Sequence, residues 1–141
     1  MEKDTRELLH ELTAAKNVAD FLHDNRQNLR EISLSEYLKE LLQRKNLSQK
    51  EVIRASGIDH SYACHIFAGD KNPSRPKLLA IALAMKLTAD EAQYLLRYAN
   101  LPKLYPRIPW DSVIIHALNR QKSVIDTNML LDELQQPPLL T

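Results

Sequence analysis

Residues 57–69, GIDHSYACHIFAG, gather most of the reactive side chains in this chain. Its only cysteine, Cys64, lies there with two of its five histidines, His60 and His65, between its only two glycines, Gly57 and Gly69. Two chemistries suit such residue types. His60 and Cys64 are four apart, which brings both to one face of a helix and can grip zinc. A structural zinc site takes four ligands, however, and the remaining histidines, His10, His23 and His116, are scattered. Cys64 beside His65 suggests a nucleophile and its base, yet neighbouring residues on a helix point about 100° apart. No oxyanion device accompanies them. Neither a metal site nor a catalytic thiol is expected, and no cofactor.

Composition narrows the field further. The chain has 141 residues, room for one compact core and an added arm. It holds 24 Leu and 13 Ala against 2 Gly and 4 Val, a mixture that favours helix over strand. Two glycines leave no G-x-x-x-x-G-K-S/T loop and no G-x-G-x-x-G turn, so the usual phosphate cradles are missing. Paired carboxylates at a shared site and a catalytic triad are also absent, so enzymatic activity has no support. One cysteine cannot form an internal disulfide, and no apolar run approaches the roughly 20 residues needed to cross a bilayer. A soluble, cytoplasmic protein without membrane association is expected. The net charge is +1 overall. Residues 31–101 carry ten basic and eight acidic groups, mildly basic, which permits nucleic-acid binding without demanding it.

Hydrophobic spacing and caps place the elements that must hold the 57–69 segment. Leu8, Leu9, Leu12, Ala15, Ala19 and Leu22 recur at helical steps and predict one amphipathic helix over residues 5–28, followed by a short joint at 30–32. Its apolar stripe needs a partner surface, and an association role is the preferred reading. A helix over 34–45 follows, with Asn46 at a left-handed cap. Ser48 and Glu51 form a capping box that opens a short helix ended by Gly57. A further helix begins near Asp59 or His60 and is stopped by Gly69. Ser74 caps a helix starting Arg75-Pro76, and Thr88-Ala89-Asp90-Glu91 is a second box opening a helix to about Tyr98. Pro102, Pro106 and Pro109 mark an ordered linker. Asp111 or Ser112 then caps one helix, and Ser123 to Asp126 opens another through about Leu134. Pro137-Pro138 is expected to end the structure. Trp110 and Tyr105 are expected to wedge this hairpin against the helices before it.

Short helices at about 34–45, 49–56 and 60–68, joined by tight turns, must cross steeply, as in a helix-turn-helix. On a helical wheel of the third, Ser61, Cys64, His65 and Ala68 share one arc with His60. Tyr62, Ala63, Ile66 and Phe67 share the other. A polar face backed by apolar anchors is what a major-groove reader needs.

Ser48-Gln49, Val52, Gly57-Ile58, Ile66, Gly69 and Asn72-Pro73 together resemble the Xre/Cro-type, lambda-repressor-like helix-turn-helix family. The resemblance covers roughly residues 34–99, and SYACHIFAG-x-x-NPSR with EAQYLLRYA and LYPR suggests a bacterial subgroup bearing extra helices at both ends. One departure is Ile53 where the family usually has a small residue, matched by Ala63 where it usually has a branched one, read as a large–small exchange in a shared core. The resemblance implies an all-α fold. Residues 1–31 form an amphipathic arm, 32–101 a five-helix DNA-binding domain, and 102–141 a linker with a helical hairpin and tail. It implies that His60, Ser61 and His65, with Cys64 beside them, face the bases. It places Gln49, Lys50, Lys71, Asn72 and Arg75 over the phosphates. Contacts of the second kind set orientation and those of the first set sequence.

The expected function is sequence-specific binding of double-stranded DNA by a transcriptional regulator, with a homodimer reading two half-sites. The alternative is an adaptor that keeps the fold but acts through a protein partner, such as a signalling enzyme or a toxin. A small-ligand sensor built on the C-terminal hairpin is a third.

Overall fold

A computed structural model describes residues 5–24 and 32–140, the side chains of His23 and Asp24 excepted. The described residues hold nine helices and no strand. The chain divides into two compact units, residues 1–32 and 33–141.

The first unit contains α1 (Thr5–Ala14) and α2 (Val18–Asp24). The single helix expected over 5–28 is therefore interrupted, and residues 25–28 lie outside the described residues, as do 30 and 31 of the expected joint. The cause is local. Asn17 Oδ1 accepts the Asp20 N–H at 2.8 Å while Asn17 Nδ2 donates to Asp20 Oδ2 at 2.9 Å, a reciprocal cap that starts a new helix inside a continuous apolar stripe. None of α1 is buried, and Leu9, Leu12, Val18 and Leu22 are exposed, whereas Phe21 is buried.

The second unit contains α3 (Leu34–Arg44), α4 (Gln49–Ser56), α5 (His60–Ala68), α6 (Arg75–Ala84), α7 (Ala89–Tyr98), α8 (Pro109–Asn119) and α9 (Val124–Glu133). Most starts are set by a hydroxyl or carboxylate that accepts a free amide of the first turn. Ser33, Ser48, Asp59, Ser74, Thr88 and Ser123 all do this. Both halves of a capping box are formed at Thr88 and Glu91. Helix ends are equally regular. Asn46, Lys86, Asn100, Gln121 and Gln135 take left-handed φ values of 53–57°, and in each case the following amide reaches back to the last turn. That geometry satisfies carbonyls that a helix end would leave bare. Asn46 was the expected one.

α6 is the hub. Leu78, Leu79, Ala80, Ile81, Ala82 and Leu83 are all buried, so this helix has no solvated side through its middle. It packs against α4, α7, α8 and α9. α3 packs against α5 and α7, where the Tyr37 and Tyr98 rings meet with centroids 4.3 Å apart. Burial pushes the Tyr37 hydroxyl up to about 12. Ile53 and Ala63, the exchanged pair, are both buried.

Two local expectations for the second half are corrected. Asp111 does not cap α8, which starts at Pro109 with Ile108 as an N-cap lacking a side-chain bond. Asp111 is buried and points to Arg75 instead. Pro137-Pro138 does not end the ordered chain, because Leu139 is buried and its N–H donates to Asn128 Oδ1 at 2.7 Å.

Candidate nucleic-acid interface

The local sequence fixes α5 at both ends. Gly57 ends α4 at φ +73°, a conformation that side chains with a Cβ resist. Within the turn, Ser56 Oγ donates to Ile53 O at 2.7 Å and accepts the Ile58 N–H at 3.2 Å, so this buried hydroxyl links α4 to the residue after the glycine. Asp59 Oδ2 accepts the Tyr62 N–H at 3.1 Å and starts α5. Gly69 ends it at φ +91°. A Cβ there would stand 3.3 Å from Ser35 Cβ, and Ser35 Oγ donates to Phe67 O at 2.6 Å. The far end of α5 is thus held against α3 by a buried bond, at an approach that a Cβ on Gly69 would make tight.

Between these ends the helix has two faces, as its wheel requires. Ala63, Ile66 and Phe67 are buried, while His60, Ser61, His65 and Ala68 are exposed and Cys64 is half-buried. Cys64 Sγ lies 3.4 Å from His60 Nε2. The thiol thus meets the histidine one turn back and not its neighbour His65, whose Nδ1 lies 3.2 Å from Asp70 Oδ2. No group of three or more metal-ligating side chains occurs among the described residues.

The expected phosphate-facing residues divide. Gln49 and Lys50 are exposed at the first two positions of α4, and Lys71 and Asn72 are exposed in the loop after α5. Arg75 is turned elsewhere. Its Nε donates to Pro102 O at 2.9 Å and its Nη2 to Lys103 O at 2.8 Å. Its two Nη groups also hold Asp111 Oδ1 at 3.1 Å and Oδ2 at 2.9 Å. Asp111 Oδ2 accepts the Tyr105 N–H as well. Burial pushes the Asp111 carboxyl up, but the guanidinium and the Tyr105 amide outweigh it and hold it below the usual carboxylate range. Arg75 therefore joins the linker to α6 and α8.

Two cations meet one aromatic ring beside this helix. Lys77 Nζ lies 3.8 Å from the centre of the Tyr62 ring and Lys71 Nζ 5.0 Å from it. Tyr62, expected in the core, is half-buried and carries both ammonium groups on its ring. Cation–π attraction restrains two long side chains that would otherwise wander. Lys77 is the third residue of α6, whose first turn has no acidic group. Only its helical position beside Ser74 hinted at it, and nothing local pointed to Tyr62. Trp110 behaves as a wedge in part: its Nε1 donates to Pro137 O at 2.9 Å and the Arg75 guanidinium lies 5.9 Å from its ring. Tyr105 does not, being 53% exposed. Ser112, Val113, His116, Leu130 and Leu134 line an open groove between α8 and α9.

The family comparison agrees with this geometry: residues 38–91 match the helix-turn-helix family model. Residues 38–91 form a helix-turn-helix domain of the lambda-repressor-like kind. The match runs from within α3 to the first turn of α7, so it takes in the whole α4–turn–α5 unit. This is a DNA-binding class of domain. No curated protein and no solved structure matches the chain. Outside the helix-turn-helix domain, no helix among the described residues is long and apolar enough to cross a membrane, and the same holds within it.

Proposed function

We propose that the chain is a sequence-specific double-stranded DNA-binding protein that regulates transcription, with α5 laid in the major groove. The observation that carries this reading is the division of α5. Its apolar anchors are buried and its ends are bonded to the domain, while His60, Ser61 and His65 are exposed on the outer face. Imidazoles donate to or accept from base edges, and the Ser61 hydroxyl does either. Cys64 lies among them, half-buried against His60. Gln49, Lys50, Lys71 and Asn72 flank this face and are assigned to the phosphates, with Lys77 added and Arg75 withdrawn because four hydrogen bonds already occupy its guanidinium.

No arginine reads guanine from α5, so affinity per protomer is modest and salt-sensitive, and a dimer reading half-sites about one helical turn apart supplies the rest. The exposed Leu9, Leu12, Val18 and Leu22 support association through the N-terminal unit. They equally favour the second reading, an adaptor that docks a protein partner. Selection from a pool of random duplexes separates the two. Regulation predicts an enriched motif, and His65→Ala changes which motif emerges. No enrichment at low salt, with a protein partner co-purifying instead, overturns the regulator. Sedimentation at micromolar concentration tests the dimer, which a strict monomer removes.

A further inference from the structure

The α4–α5 turn is touched from outside the matched domain. A Cβ placed on Gly57 would lie 3.4 Å from Leu140 Cδ1, so the segment after α9 runs in van der Waals reach of the turn glycine. That segment is itself firmly held. Leu139 is buried and its N–H donates to Asn128 Oδ1, Asn128 Nδ2 donates to Leu140 O at 3.4 Å, and Trp110 Nε1 donates to Pro137 O at 2.9 Å. The turn has its own ties, through Ser56 Oγ to Ile53 O and the Ile58 N–H and from the Gly57 N–H to Arg54 O, and Leu140 meets it from outside the domain.

We propose that Leu140 is a positioning residue for DNA reading: by packing on Gly57 it sets the angle at which α5 leaves the turn. The inference rests on the groove-reading role proposed above. Leverage makes it matter. With the far end of α5 held at Phe67 O, a rotation of about 10° about that point moves His60, at the other end of the helix, by about 2 Å. Binding constellations need their groups placed within about 0.5 Å. The hairpin of α8 and α9 and the segment following it thereby acquire a function, since they hold Leu140 against the joint between α4 and α5.

The test compares wild type with Leu140→Ala and Leu140→Met in the full chain. Amide exchange is followed at residues 57–62 and, as an internal reference, in α7. Binding is measured to the enriched duplex and to an unrelated duplex at the same salt. Leu140→Ala is expected to accelerate exchange at 57–62 while α7 is unchanged. It also weakens the enriched duplex about fivefold with the unrelated duplex unaffected, and Leu140→Met restores both. Exchange that stays at the wild-type rate at 57–62, or rises equally in α7, overturns the proposal, as does a parallel loss on both duplexes. If wild type enriches no duplex, the regulator reading fails, while the exchange measurement still decides whether Leu140 governs the turn.

Discussion

The Arg75 guanidinium and the Asp111 carboxylate, 36 residues apart in sequence, meet through two hydrogen bonds of 3.1 and 2.9 Å. Asp111 is almost wholly buried and Arg75 mostly so. Removing one partner strands the other charge, which for buried pairs costs about 3–5 kcal/mol, less here because Arg75 keeps some contact with solvent. Arg75→Ala should therefore lower the denaturant midpoint by an amount corresponding to about 2–3 kcal/mol, and leave the salt slope of DNA binding unchanged. An unchanged midpoint with a slope reduced by about one unit would return Arg75 to the phosphates.

Acid should act through the same bridge. The folded-state pKa of Asp111 is depressed, and so is that of Glu91, where burial is outweighed by the Thr88 amide and by Lys45 at 3.1 Å. A depressed carboxylate contributes stability above its unfolded pKa, about 4, and loses it as pH falls through the folded value. The stability gap between wild type and Asp111→Asn should be full at pH 6 and close progressively below about pH 4. Tyr37 runs the opposite way. Its folded value near 12 lies above the unfolded one, so its contribution is present below about pH 10 and fades as pH rises towards 12. Denaturant midpoints across pH check both.

The two glycines should differ in tolerance. Each has positive φ, which costs an alanine about 1–2 kcal/mol. At Gly69 the new methyl also stands 3.3 Å from Ser35 Cβ and presses on the residue that holds Phe67 O, whereas at Gly57 it meets only Leu140 at ordinary contact distance. Gly69→Ala should be the more destabilising in thermal melts, and the reverse order would show that α5 is not seated on Ser35.

Lys71 and Lys77 share the face of Tyr62. Replacing either with Ala should weaken all duplexes alike and reduce the salt slope by about one, with the selected motif intact. A changed motif after Lys77→Ala would place its ammonium at a base edge instead.

Much of this fold was legible from α3 to α7 because its punctuation is local. A hydroxyl at Ser48 or Thr88 meets an amide three residues on, and Gly57 and Gly69 take conformations that other residues resist. The outward set His60, Ser61 and His65 followed from periodicity alone. The break at Asn17 escaped because the apolar stripe runs straight across it, although Asn17 and Asp20 carry the signal of a cap. Asp111 was misread for a deeper reason. A carboxylate near a helix start has a local use, and only the folded chain brings Arg75 close enough to override it. Tyr62 and Leu139 repeat the lesson, since their surroundings come from α6 and from α9.

The seating of α5 separates what it is made of from what it recognises. Its bonds to the rest of the domain run through backbone atoms, such as Phe67 O, and through side chains on its inner arc. The outer positions His60, Ser61 and His65 bear almost none of that burden. Under the proposed reading, replacing them changes the preferred duplex while the fold keeps its stability.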